Sequence, residues 1–172
     1  DGSRYALMDV ALRQVDGAPD AVSENAKVIG QVEGKDGPID VYELSPQRQG
    51  FIAAADGVLE HEFGEPTDAS AQDYREVMKE KGPAILYLTA QMFHYHNQFD
   101  EARKRFQRLI DDYNASIEAN YAAGLLVEGY IAQGDLEQVR LYTKRFTQNP
   151  PGPPTEIDPD KFKGTLEGTT FK

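Results

Sequence analysis

Cysteine is absent from the 172 residues, and so is tryptophan. The first absence excludes a disulfide framework, a thiolate zinc site, a cysteine nucleophile and a lipid-modified cysteine from this sequence. Histidine is scarce, at three residues, and bases are outnumbered, with 18 Lys and Arg against 29 Asp and Glu. The formal charge of −11 and the pI of about 4.7 argue against a nucleic-acid footprint or binding to an anionic membrane, since both need net attraction to phosphate. No apolar run approaches the roughly 20 residues that span a bilayer. The motifs G-x-x-x-x-G-K-[ST], G-x-G-x-x-G and G-x-S-x-G do not occur, and no D-x-D-x-D-G loop accompanies Glu60, Glu62, Glu65 and Asp68. Paired carboxylates are plentiful, but no apolar pocket marks any pair for split acid and base roles. Nothing therefore asks for an enzyme, a cofactor or a metal. The chain starts at Asp1-Gly2-Ser3 with neither methionine nor signal peptide, which reads as a processed form or a piece of something longer.

What is present is mostly helical periodicity. Tyr5, Leu7, Met8, Ala11, Leu12 and Val15 give a short amphipathic helix that ends at Asp16-Gly17-Ala18-Pro19. Residues 27–33 and 39–44 carry Val28, Ile29, Val32, Ile39, Val41 and Tyr42, with "GKDGP" between them, and predict a β-hairpin. From Ser45-Pro46 the spacing predicts helices over 46–63, 70–81, 83–97, 99–113, 117–133 and 136–147, paired by short polar corners. Ser45 can cap one helix with Pro46 in its first turn, Gly82-Pro83 reads as an end and a beginning, and Gly134-Asp135 turns the last pair. Beyond Asn149, "PPGPPTEIDPDKFKGTLEGTTFK" predicts an extended tail pinned by Phe162, Leu166 or Phe171. The expected organisation is thus a helix and β-hairpin over 1–45, helical hairpins over 46–148 and a proline-rich tail over 149–172.

The last two helix pairs align with each other. In one, Ala90-Gln91-Met92-Phe93 precedes Phe99 and Ala102-x-x-x-Phe106; in the other, Leu126-Val127-x-x-Tyr130 precedes Gly134-Asp135-Leu136, Val139 and finally Pro151. This pattern resembles the tetratricopeptide repeat, in which small residues let two antiparallel helices approach and a ring fills the gap to the next pair. Ala90, Ala102 and Phe106 suit those parts. Departures are the missing opening tryptophan, Val127 where glycine is usual, Thr143 where an aromatic belongs, and a period slightly above about 34 residues. The inserted corner, "DDYNASIEA", is similar to one found in envelope-associated members. The resemblance implies a mainly α fold, an α-solenoid of antiparallel helical hairpins with residues 46–81 as a degenerate third unit, and a scaffolding component that holds protein partners in a larger assembly. It also implies a periplasmic or cell-envelope location, with a cytoplasmic one as the alternative. A second, short resemblance lies in "VEGKDGPIDVYEL", which is similar to the closing hairpin of class III nucleotide cyclases. It implies the alternative that this segment is the regulatory end of a cyclase whose metal-binding aspartates lie upstream.

Three sets of residues are candidates for function. By the repeat resemblance, Tyr87, Gln91 and His94, at i, i+4 and i+7, face a concave groove that Tyr121, Gly124, Glu128 and Ile131 complete, suited to an extended or helical peptide. The competing reading makes Tyr87 and Tyr121 half-buried packing residues and His94 an exposed surface histidine. The neighbouring His96 reads as a packed or capping residue. His94 and His96 are about 200° apart on a helix and cannot share an ion, so no metal site is expected. Arg103, Lys104, Arg105, Arg108, Arg140, Lys144 and Arg145 form a basic face that either docks an acidic partner or pairs with this chain's own carboxylates, the reading favoured here. His61, between Glu60 and Glu62, reads as solvated. A short array also leaves an end to cover, with Ile131, Tyr142 or Phe146 exposed unless the tail or a neighbour buries them, and association with itself or a partner is expected.

Overall fold

A computed structural model describes residues 2–15, 17–60 and 69–153. Among these it contains α1 (Gly2–Arg13), a hairpin of β1 (Val28–Val32) and β2 (Ile39–Tyr42), then α2 (Pro46–Leu59), α3 (Ala69–Tyr95), α4 (Phe99–Asp112), α5 (Ile117–Gln133) and α6 (Leu136–Gln148). The chain is mainly helical with one small antiparallel sheet, as expected. The predicted tail, and His61 with Glu62, Glu65 and Asp68, fall outside the described residues.

Local chemistry sets most boundaries. Ser45 accepts from the Arg48 amide with Pro46 behind it, Ser116 from Ala119, and Asp135 from Gln138, so three helices begin on side-chain caps. Helices α3 and α5 end alike. Asn97 (φ 60°) and Gly134 (φ 74°) are left-handed. At the first corner the amides of Asn97 and Gln98 donate to His94 and Phe93; at the second, those of Gly134 and Asp135 donate to Ile131 and Tyr130. Both are Schellman closures, one residue type tolerating the conformation and the other free of its cost.

One expected boundary does not exist. Gly82-Pro83 lies inside α3, a continuous helix of 27 residues. Both residues are buried. A Cβ on Gly82 would lie 2.6 Å from the Tyr113 hydroxyl, so the glycine serves a crossing with the end of α4 rather than a helix stop. Residues 70–81 are therefore the first half of α3 and not a separate helix. Helix α2 packs on α1 and α3, around Met8, Leu44, Phe51, Ile52, Ala55, Val58, Ile85 and Met92. The expected division at residue 45 thus runs through a single core.

The second core lies between α3, α4 and α5, with Leu86, Ala90, Ala102, Phe106, Leu109, Ile110, Ala119, Ala122 and Leu126 buried. Helix α5 touches both α3 and α4, and α6 packs mainly on α5 and reaches α4 through Gln107 to Tyr142 and Arg145 to Asp111. Tyr142 and Phe146 are half-buried, Tyr142 stacking on Tyr130 at 5.5 Å. The β-hairpin straps the two helix corners together. The Tyr42 amide donates to His96 O at 3.0 Å, Asn97 and Gln98 donate to Asp40 O and Tyr42 O at 2.8 Å each, and the Lys35 amide donates to Ala132 O at 2.8 Å.

Two helical glycines should respond oppositely to alanine. Gly82→Ala should lower stability because Tyr113 blocks the added methyl, whereas Gly124→Ala, with nothing within 4 Å, should raise it by about 1 kcal/mol through helix propensity. Urea unfolding followed by far-ultraviolet circular dichroism measures both signs.

Candidate partner-binding surface

Helix α5, IEANYAAGLLVEGYIAQ, carries only Glu118 and Glu128 as charges and is apolar nearly all round. Such a helix is ordinarily enclosed on every side. Here Ala119, Ala122, Ala123, Leu126, Gly129 and Tyr130 are buried. The opposite stripe is not: Ile117, Tyr121 and Ile131 are 47%, 53% and 46% exposed, and Gly124 and Glu128 lie open between them. Their alternating spacing of four and three is that of a helix-packing seam.

Helix α3 forms the flank. Tyr87 is half-buried against Phe106, its ring centre 6.1 Å from that of Tyr121, and accepts from Gln91 Nε2 at 3.2 Å. Tyr87, with Gln91 bonded to it, thus adjoins the α5 stripe at Tyr121. His94 does not share their exposure. It is buried, its ring edge-on to Phe99 (5.6 Å) and Phe106 (5.9 Å), with Gly129 of α5 facing it; a Cβ at Gly129 would make ordinary contacts, 3.4 Å from Phe99 and 3.7 Å from the imidazole. Both expectations for His94, groove lining and exposed surface histidine, give way to packing. Its Nε2 still reaches Glu128 Oε1 at 3.6 Å.

A niche of about 140 Å³ opens beside that contact, lined by His94, Tyr95, Asn97, Phe99, Glu128 and Ala132. Burial lowers the His94 pKa, and the Glu128 carboxylate only partly opposes this. The pKa values of Tyr87 and Tyr95 are raised first by burial; Asp20 adds to both and Glu128 to Tyr95. His96, at the corner, is buried with Nδ1 2.7 Å from Met92 O, and its pKa is also lowered first by burial. Among the described residues no group of three or more His, Asp or Glu is placed to hold a metal ion.

The basic residues are dispersed rather than gathered. Arg105 grips Asp56 of α2 with both terminal nitrogens (2.6 and 2.8 Å) and lies over Phe93, and Arg108 reaches Leu59 O and Asp112. Arg103 lies over Tyr130 with Asp100 and Gln133 as partners, Lys104 meets Glu101, and Arg145 meets Asp111. Arg140 and Lys144, on the outer side of α6, have no acidic partner among the described residues. Sequence periodicity missed the inward roles of Arg105 and Arg103, whose partners lie far along the chain.

Comparison with family models, curated proteins and solved structures finds no match for this chain. Among the described residues no helix is long and apolar enough to cross a membrane.

The two buried histidines give a pH dependence of definite sign. Unfolded, they bind protons near the ordinary value of about 6.5; folded, they resist. Their contribution is complete above about pH 6.5 and is lost as pH falls from there through the lowered folded values. The urea midpoint should therefore drop between pH 7.5 and pH 5, and His94→Gln should flatten the slope without abolishing it, because His96 remains.

Proposed function

We propose that this protein is a non-enzymatic scaffolding subunit that holds another polypeptide against α5 and the flank of α3. The observation that carries this reading is the seam Ile117, Tyr121, Gly124, Glu128 and Ile131: a helix otherwise suited to enclosure leaves one face uncovered. Exposed apolar surface of this kind marks association rather than solvation. Helices α3–α4 and α5–α6 are taken as two units of tetratricopeptide type. Support comes from their matched left-handed corners, from Ala90 and Ala102 at the close crossing, and from α5 resting on both helices of the preceding pair. Exposed Leu136 (58%) and Leu141 (56%) on α6, the last described helix, favour assembly into something larger, including copies of this chain. The inserted corner between α4 and α5 and the lack of cysteine fit an envelope location. The cyclase alternative is carried by the hairpin alone, and β2 spends its outer edge on the helix corners.

Gly124→Arg tests the proposal without disturbing packing, since the side chain projects into open space. Affinity capture from a native extract should lose its specific partner with Gly124→Arg, while far-ultraviolet circular dichroism stays unchanged. Identical capture by both proteins would remove the case for this face.

A further inference from the structure

We propose that the α5 seam takes a helix from a separate polypeptide, and that this helix places a lysine or arginine side chain in the niche beside Glu128. The inference rests on the docking reading above and adds the chemistry of what docks.

Shape argues for a helix. The five exposed residues follow the four-three alternation over about four turns, or roughly 21 Å of axis. Gly124 removes the side chain at the middle of the row, and a Cβ there would meet nothing within 4 Å. A notch at mid-seam lets a second backbone come close, as small residues do where helices cross. Gly129, on the same helix, faces inward, against Phe99 and His94, whereas Gly124 faces open space.

Charge argues for the base. Glu128 is the one ionised group on the seam, and its side chain is 64% exposed. Its contact within the chain is His94, which burial holds towards the neutral form, and among the described residues no lysine or arginine lies within salt-bridge distance of it. A helix laid along Ile117, Tyr121 and Ile131 would cover that carboxylate, and a covered, unpaired charge is costly. A basic side chain opposite Glu128 removes the cost. The niche of about 140 Å³ beside Glu128 counts Tyr95, Phe99 and Ala132 among its lining residues, apolar surface of the kind an aliphatic stem covers. The chain's overall charge of −11 draws the same sign of partner.

The test uses full-length protein and three synthetic 18-residue helical peptides with leucines at four-three spacing, differing only in Lys, Gln or Glu at one central seam position. Binding is read by fluorescence anisotropy. The Lys peptide should bind about tenfold more tightly than the Gln peptide, and the Glu peptide more weakly than either. Glu128→Gln should erase the Lys-to-Gln difference in a double-mutant cycle, whereas Glu137→Gln on α6 should leave it intact. Gly124→Arg should abolish binding of all three. A preference for Lys that survives Glu128→Gln, or that falls equally with Glu137→Gln, would overturn the proposal as general attraction to an acidic protein. Absence of binding would overturn it too, including absence because a second copy or residues 154–172 already occupy the seam. Equal binding of the Lys and Gln peptides by the unaltered protein, with Gly124→Arg still blocking all peptides, would leave the docking face standing and refute its chemistry.

Discussion

Everything in the helical body turns on the closeness with which α3, α4 and α5 meet around Phe106. The ring is wholly buried, with His94 and Tyr87 centred 5.9 and 6.5 Å away on α3. Room for it exists because Ala90, Ala102, Ala119 and Ala122 line the crossings, each 1% exposed or less. A large side chain at any of those alanines would push the helices apart, and an alanine in place of Phe106 would leave a cavity costing about 3–5 kcal/mol. The same closeness fixes the functional surface. Once α5 is pressed onto α3 and α4 by its small residues, its opposite row is forced outward, apolar side chains included.

The hairpin adds a second constraint. It is a poor structure by itself, two short strands with Val28 and Ile29 exposed. Its backbone is satisfied instead by the helix corners, to which Lys35, Asp40 and Tyr42 are bonded. Gly134 is needed there twice over, for its left-handed conformation and because Lys35 would meet a Cβ at 3.3 Å. The corners of α3–α4 and α5–α6 are thereby held at a set separation, which in turn holds the angle between α3 and α5 along the seam.

Much of this was legible in the residues. Helix α4 declares its inner face through Phe99, Ala102, Phe106, Leu109 and Ile110, and the hairpin through its valines, isoleucines and glycines. The Ser45 cap and the Gly134-Asp135 turn marked their boundaries within a residue or two. What failed did so for one physical reason, partners distant in sequence. Gly82 looked like a helix stop, yet its cause is Tyr113. His94 shared a stripe with Tyr87 and Gln91, but Phe99 and Phe106 of α4 and Gly129 of α5 lie against that end of the stripe. Arg105 does pair with a carboxylate of this chain, the reading favoured from the sequence, but spacing gave no sign that the partner is Asp56. Helix α5 was recognisable as a helix, while its exposed side was not, because a sequence apolar in every direction carries no directional signal. The groove residues of α5 came from the repeat resemblance, and the niche beside Glu128 came from coordinates alone.

The most direct measurement replaces Tyr121, 53% exposed on the seam, with a photoactivatable benzoylphenylalanine, which keeps an aromatic ring there, and irradiates the protein in its native extract. A docking face should yield a covalent adduct with a separate polypeptide, mapped to a helix of that partner and lost when Gly124→Arg is added. Irradiation that leaves the chain unattached, or that joins position 121 only to its own residues, would contradict the claim that α5 is left open for another protein.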